Sequence, residues 1–434
     1  MSKKKRVVIT GVGPLASAGI GKKEFWEGIL RGRTGLQLEE TEIDREVWDR
    51  FYLHKIHGFD IRTFGIDEAM LDDLKIWKEG EEIEDLYYLM AAVKLALDDS
   101  ELRYDKEEND IGLVLTHENP GLEQFFYKVC NDAFEIDMGK GSGSGKRKEF
   151  FKALYNKDAK SAYDLQSFMF LFHVARMFGI HGYSSFINNA CASGLYALEA
   201  AGQMIRSGSN SVVVIAGADC PRIYKYLWFK QLGMYADDGL IKPFARKANG
   251  LVFGDGAAGL VLEDMDHAIA RNAHIYAEYR GGGFSLDGWK VTVPSIGSGF
   301  YRKAVMKAIE TSEIDKDDID VVCAHGVGNP LIDRYEAKTI TDIFGSHLRR
   351  PLVTAFKPYI GHTLGASALI ETAMLVLCMD EDIILPLPDC GDIDPQLGLE
   401  LVRENMQVDN CLALKICSAF AGYNGAVVLR KFRE

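Results

Sequence analysis

Three separated segments hold residue types that could act together. The first is Asn189-Ala190-Cys191-Ala192-Ser193-Gly194. Upstream, 183–187 reads as a short buried strand; downstream, Leu195, Leu198, Ala201 and Ile205 recur at helical spacing. The pattern puts a thiol at the mouth of a helix, facing unpaired backbone N–H groups and the positive end of the helix dipole. Both favour thiolate over thiol, and the thiolate is the nucleophile. A free cysteine on its own more often serves as a small buried hydrophobe, so the case for catalysis rests on the other two segments. Ala324-His325-Gly326-Val327-Gly328-Asn329 follows a strand predicted over 319–323, a placement that projects the imidazole into a cleft. Lys357-Pro-Tyr-Ile-Gly361-His362 repeats the arrangement after a strand predicted over 352–356.

The helix after His362 supplies an independent clue. Between Leu364 and Met379 the one charged residue is Glu371. A helix apolar nearly all round is buried, and a buried carboxylate needs a partner. Lys357 or a histidine can serve, so Cys191, His325, Lys357, His362 and Glu371 are expected as one polar cluster in an apolar interior. A thiolate and two histidines without a metal suit acyl transfer through a thioester. Neutral imidazoles donating through Nε2 would meet charge developing on an acyl oxygen. No GxSxG elbow of a serine hydrolase is present.

Several glycine patterns mislead. Gly254-Asp-Gly-Ala-Ala-Gly259 matches GxGxxG, but a strand follows it where a dinucleotide site requires a helix. It reads instead as a tight turn with close backbone packing. The 139–146 run lacks the Ser/Thr of a P-loop and has Lys140 where its first glycine belongs. No nucleotide site, cofactor or metal is indicated.

The elements that must position the cluster alternate between strand and helix. A strand at 6–10, a loop at 11–14 and a helix at 22–30 open the chain. Segment 39–84 reads as surface helices and loops, followed by a helix at 85–98 and a strand at 111–115. Residues 121–161, with the glycine run and a basic stretch over 140–148, read as a mobile insertion with helical ends. A strand at 211–216 and a glycine-rich hairpin over 250–263 close a first half (1–265). The second half (266–434) has helices at 301–310, 335–344 and 364–379 and ends in strands at 412–418 and 425–431. This pattern predicts an α/β fold with mixed sheets covered on both faces, built as a duplicated unit.

Composition sets the surroundings. The 434 residues suit two domains or two fused halves, and 47% hydrophobic content with mean hydropathy −0.07 describes an ordinary soluble protein. No apolar run reaches the ~20 residues of a membrane span, and no signal-peptide core follows the basic start, so a cytoplasmic location is expected. The eight cysteines include no CxxC pair and no zinc spacing. A net charge of −13 argues against nucleic acid and anionic membrane as partners.

With these residues in place, the chain resembles the β-ketoacyl-acyl carrier protein synthases, the elongating condensing enzymes of the thiolase superfamily. The likeness runs from Arg6-Val-Val-Ile-Thr-Gly-Val-Gly through Asn189-Ala-Cys-Ala-Ser-Gly, Phe253-Gly-Asp-Gly-Ala-Ala and Ala324-His-Gly. It continues through Lys357-x3-Gly-His362 to Ala419-Phe-Ala-Gly-Tyr-Asn-Gly425. The resemblance implies a five-layered α-β-α-β-α fold of two similar halves, assembled as a homodimer or paired with a ketosynthase-like subunit. It implies that Cys191 takes an acyl group from an acyl carrier protein. His325 and His362 would bind the malonyl thioester and stabilise the enolate left by decarboxylation, with Lys357 and Glu371 setting the charge around them. The backbone N–H groups of Cys191 and Phe420 would form the oxyanion hole, the Phe420 ring would gate the acyl pocket, and Asn329 and Thr292 would bind the pantetheine arm. Lys225, Lys230, Arg222, Lys290 and the basic 140–148 segment are candidate docking charges for the acidic carrier protein.

The sequence also departs from the family. Val327 and Asn329 stand where threonines bonding pantetheine are usual. Thr116-His117-Glu118-Asn119-Pro120 replaces the glycine-rich loop lining the acyl pocket, and Ala419 and Ala421 replace glycines. These changes leave the chemistry intact and bear on the substrate, favouring a specialised polyketide pathway over housekeeping fatty acid synthesis. Two rivals are disfavoured. A thiolase needs a C-terminal Cys-x-Gly motif, but Ala419 and Phe420 follow near Cys417. A non-catalytic partner subunit of the chain-length-factor kind typically loses the nucleophile that is retained here.

Overall fold

The computed structural model describes residues 5–43, 46–73, 83–118, 121–138, 144–345, 350–388 and 391–433. Its frame is built from near-continuous apolar runs, the mark of strands covered on both faces. Val7–Ala16 (β1), Gly112–Thr116 (β2), Ser184–Ile187 (β3), Val212–Asp219 (β4) and Gly256–Asp264 (β5) lie in the order β1-β5-β4-β2-β3. Ala277–Leu286 (β6), Val321–Cys323 (β7), Leu352–Thr354 (β8), Leu412–Ser418 (β9) and Tyr423–Lys431 (β10) lie in the order β6-β10-β9-β7-β8.

Numbered within its own half, each set has the same order, and the strand directions repeat too. The first two pairings of each set are antiparallel and the last two parallel. β1 and β6 pair antiparallel, Val7 to Ile9 against Ala277 to Tyr279. That seam joins both sets into one path of ten strands, and Gly19–Ile20, attached to β1, makes the sheet eleven-stranded. The duplicated unit expected from the alternation of elements is therefore present in the topology.

Alternation along the strands sorts side chains into layers. Val213 and Ile215 of β4 face a central core shared with helices Ser193–Ser207 (α2) and Ser367–Asp380 (α5), while Val212 and Val214 face outward toward Glu84–Ser100 (α1). In the second half, Val321 and Cys323 face that central core, and Val322 faces Phe300–Thr311 (α3) and Pro330–Phe344 (α4). The result is the five-layered arrangement implied by the resemblance. α2 and α5 touch backbone to backbone: a Cβ on Gly194 would lie 2.4 Å from the Leu369 nitrogen.

Five expectations change. The strand expected as buried at 183–187 forms at Ser184–Ile187, but it lies at the sheet edge with its side chains exposed or half-buried. β1 runs through residues 11–14, so the expected loop there is strand, held by pairing with β5. Within 39–84 a hairpin forms between Leu36–Ile43 and Glu46–His54, whose period-two alternation outweighs its charge. Gly250 to Glu263 is not a hairpin, because Phe253–Gly254 joins that outer sheet and β5 the main one. The 121–161 segment is helix at Leu122–Met138 and through most of Ser144–Asp164, and Gly139 to Gly143 lie outside the described residues.

Candidate active site

Cys191 lies two residues before α2 and is 6% exposed. The turn presenting it is tied by short bonds: the Asn189 N–H donates to Ser193 Oγ at 2.8 Å, and that hydroxyl donates to the Ala190 carbonyl at 2.6 Å. Ala190 has φ 51°, and Leu364 and Ala421, beside His362 and Phe420, have φ 48° and 59°. Each left-handed residue without glycine's freedom costs about 1–2 kcal/mol, so strain gathers where side chains are aimed.

His325 follows β7. Its backbone N–H donates to Glu336 Oε1 at 2.7 Å and that of Gly326 to Oε2 at 2.9 Å, which fixes the loop onto α4. Gly326, at φ 49°, would strike Ala355 with any Cβ. His362 is pinned from the opposite side: its N–H donates to the Val252 carbonyl at 2.8 Å, and the Gly254 N–H to its carbonyl at 3.1 Å. The apparent dinucleotide motif at 254–259 thus packs closely, as expected; a Cβ on Gly254 would lie 2.0 Å from the Ile360 oxygen.

The five residues expected as one cluster are brought together. One side-chain atom each of Cys191, His325 and His362 lie within 4.8 Å of one another, and the two rings are 5.8 Å apart at 85°. Lys357 Nζ donates to His325 Nδ1 at 3.1 Å, to the His325 carbonyl at 2.6 Å and to Glu371 Oε1 at 2.6 Å. Sequence reasoning missed Lys415, whose Nζ lies 2.7 Å from Glu371 Oε2. The signal was available: it is the lone charge in the apolar strand β9, in register with Ala413 and Cys417, which face the central core. Cys417 Sγ lies 3.3 Å from His325 Nδ1, behind the ring.

These contacts fix both tautomers. His325 Nδ1 faces an ammonium, and His362 Nδ1 accepts the Leu364 N–H at 2.9 Å, so in each neutral ring Nε2 carries the proton. Burial, reinforced by Lys357, pushes His325 well below its ordinary range and His362 down to about 3. Both rings are neutral and offer Nε2–H. Although burial opposes its charge, Lys357 and Lys415 hold Glu371 down to about 2. Cysteine and two histidines are also a donor set for Zn²⁺. Here each Nδ1 is occupied as a hydrogen-bond acceptor, so coordination through Nε2 would displace the one proton each neutral ring carries; the residues do not fit a metal.

One expectation about the nucleophile is overturned. Burial, with Glu118 second, pushes the Cys191 thiol well above its usual range. A pKa shifted in that direction leaves the resting group a thiol.

Residues placed around the cluster are less uniform. Phe420 is half-buried in the turn after β9, its ring stacked on Phe229 at 5.0 Å and 2°. Asn329 caps α4, its Oδ1 accepting the Leu331 and Ile332 N–H groups at 3.1 and 3.3 Å, which leaves only its amide for a ligand. Thr292 is half-buried in a loop joined to the Phe420 turn, where the Ala421 N–H donates to the Val291 carbonyl at 2.6 Å. Of the docking charges, Lys230 and Lys290 are exposed. Lys225 and Arg222 are not surface charges: Lys225 pairs with Glu118 at 2.7 Å, and Arg222 with Asp255 at 2.5 Å and with Glu84.

The beta-ketoacyl synthase N-terminal domain family matches residues 4–268 and the C-terminal domain family residues 276–390. The chain belongs to the β-ketoacyl synthase family of condensing enzymes. It is 27% identical over 442 residues to 3-oxoacyl-[acyl-carrier-protein] synthase 2 of Staphylococcus aureus, with all of both chains covered. It is also 27% identical over 443 residues to the putative polyketide beta-ketoacyl synthase 1 of Streptomyces virginiae, covering 98% of this chain and 97% of that one. Among solved structures, the ishigamide ketosynthase/chain length factor superposes with a TM-score of 0.84 at 24% identity, over 99% of this chain and 100% of the other. Among the described residues no helix is long and apolar enough to cross a membrane.

Proposed function

We propose that the protein is a 3-oxoacyl-acyl carrier protein synthase working in polyketide or fatty acid synthesis. The observation that carries this reading is a pair of neutral imidazoles, each with Nδ1 occupied and Nε2–H free for substrate, beside a thiol at a helix N-terminus. In the first step Cys191 Sγ attacks the acyl thioester of the carrier protein; its proton leaves with the carrier thiol. In the second, the malonyl thioester loses carbon dioxide, and the electron pair of that bond becomes an enolate. The two Nε2–H groups bind the enolate oxygen as its charge develops. The carbanion attacks the Cys191 thioester, the C–S bond breaks, and one solvent proton restores the thiol as the 3-oxoacyl product leaves.

In this reading the N–H groups of Cys191 and Phe420 hold the tetrahedral oxyanion, and the Phe420 ring, able to leave its stack on Phe229, opens the acyl side. The Asn329 amide and Thr292 contact the pantetheine arm. Lys357, Glu371 and Lys415 touch no substrate; they position His325 and keep it neutral. Exposed Lys230 and Lys290 meet the acidic carrier. A second copy of this chain pairs along β3, an edge strand whose side chains are exposed or half-buried, next to Tyr183, which is 65% exposed.

The test is intact-protein mass spectrometry after mixing with a panel of acyl-carrier-protein thioesters. A gain of one acyl mass, absent in Cys191→Ala, is expected. No gain with any donor would instead favour a non-catalytic subunit of a heterodimer.

A further inference from the structure

Two donors converge on one lone pair behind His325: the Lys357 ammonium and the Cys417 thiol. The thiol comes from β9, which grips the segment carrying His325 at two points. β7 and β9 pair in parallel with Cys323 opposite Lys415, and the register, carried two residues further, sets His325 beside Cys417. Lys415 Nζ donates to the Ala324 carbonyl at 3.1 Å, and Cys417, on the same face of the strand, brings Sγ to 3.3 Å from His325 Nδ1. The thiol is wholly buried, and burial pushes it up to about 12, so the sulfur keeps its proton. Among the described residues its one hydrogen-bond partner is His325 Nδ1.

Lys357 reaches the same nitrogen from a fixed position. Its Nζ lies 2.6 Å from the His325 carbonyl and 2.6 Å from Glu371 Oε1, but 3.1 Å from His325 Nδ1. The two short bonds to oxygen take two of the three ammonium protons. The third, and the S–H, both face the unprotonated ring nitrogen. A half-turn of the ring about its Cβ–Cγ bond would exchange Nδ1 for the Cδ2–H group. Both donors would then meet a C–H in a dry interior, which leaves them unsatisfied. Nε2 would leave the position from which it donates at the same time.

Resting on the proposed acyl transfer, we propose that Cys417 is a positioning residue for the decarboxylation step. Its S–H donates to His325 Nδ1, holds the ring in one orientation and keeps Nε2 the protonated nitrogen. Hydrogen bonds in series polarise one another, so a donor at Nδ1 also strengthens the Nε2–H bond to the enolate oxygen. Cys417 touches no substrate, and loading of Cys191 does not draw on this bond.

The first measurement needs no turnover. The infrared S–H stretch of the full-length protein is compared with that of Cys417→Ser. The band lost should lie on the low-frequency side of a free S–H, the mark of a donating thiol; a band lost at the free position overturns the proposal. Kinetics then separate positioning from packing. Cys417→Val removes the donor and keeps an apolar side chain suited to a strand. It should lower carbon dioxide release from malonyl-pantetheine roughly tenfold in kcat, with KM and the rate of Cys191 acylation by hexanoyl-pantetheine each within about twofold. Cys417→Ser restores a donor and should return kcat to within about threefold of the unaltered protein. Equal losses in both half-reactions, or a serine variant as slow as the valine, would assign Cys417 to packing and overturn the proposal. If the unaltered protein neither loads an acyl group nor releases carbon dioxide, acyl transfer itself fails, and the positioning role with it. Because the infrared band is read on the unaltered protein and the serine variant, misfolding of Cys417→Val cannot rescue the proposal.

Discussion

His117 and His325 occupy corresponding places in the two halves. Each follows the second strand of its set, β2 or β7, at the strand's C-terminal end, and each is fully buried. Their pKa values are shifted in opposite directions. Burial works against charge on both, but Asp219 and Asp85 overcome it at His117 and raise its pKa, while Lys357 adds to it at His325. The chain builds one scaffold twice and sets each imidazole by the sign of its neighbours. The neutral ring becomes a donor beside the thiol; the ring with the raised pKa is held between Asp85 and Asp219. The third connection differs likewise. After β3 a strained turn delivers Cys191, whereas after β8 the chain delivers Lys357, His362 and the wholly buried α5.

Four perturbations would break or sharpen this contrast. The largest is Glu371→Gln, which leaves Lys357 and Lys415 sharing no carboxylate in a dry interior. It should cost about 3–5 kcal/mol in urea unfolding; a loss under 1 kcal/mol would show that the lysines hold His325 without it. Next, His325→Ala or His362→Ala should each lower decarboxylation of a malonyl thioester by roughly 10²–10³-fold, read as carbon dioxide release. His117→Asn should leave that reaction within about threefold, for it stands outside the reacting atoms.

The third uses pH. His362 is neutral in the folded chain down to about 3, whereas an unfolded histidine takes up a proton near 6.5. Stability should therefore fall as pH drops from 6.5 toward 3, and His362→Ala should flatten that slope. The raised His117 acts in the opposite sense. Its contribution is complete below pH 6.5 and lost as pH rises through its folded pKa, so His117→Asn should flatten an alkaline decline. Equal slopes in both variants would dissolve the contrast. The smallest effect is Asn329→Ala, which removes the α4 cap at about 1 kcal/mol. A simultaneous rise in KM for pantetheine thioesters would assign its amide to substrate as well.

The chemistry was legible where one residue broke a pattern. Glu371 in an apolar helix announced a buried partner, and Cys191, His325 and His362 each stood at the end of a strand. Lys415 carried the same kind of signal among the six apolar or small residues of its strand. By contrast, Asp85 and Asp219 read as ordinary residues at element ends, and only tertiary contact reveals them flanking His117. The hairpin at 36–54 was obscured because its charged face dominates composition while its alternation is modest. The resting state of the thiol was misjudged for a physical reason: sequence shows the helix that follows Cys191 but not the depth at which it starts.

Gly194 turns the meeting of α2 and α5 into a datum for the whole molecule. The contact with Leu369 falls three residues after the nucleophile and two before Glu371. Positional error between the halves therefore accumulates over only a few covalent bonds on either side. The spacing of thiol and imidazoles is referenced to main chain rather than to side-chain packing. Exchanges among buried side chains elsewhere in either half should be absorbed before they reach the thiol, whereas a single methyl group at position 194 would move the two reference marks apart.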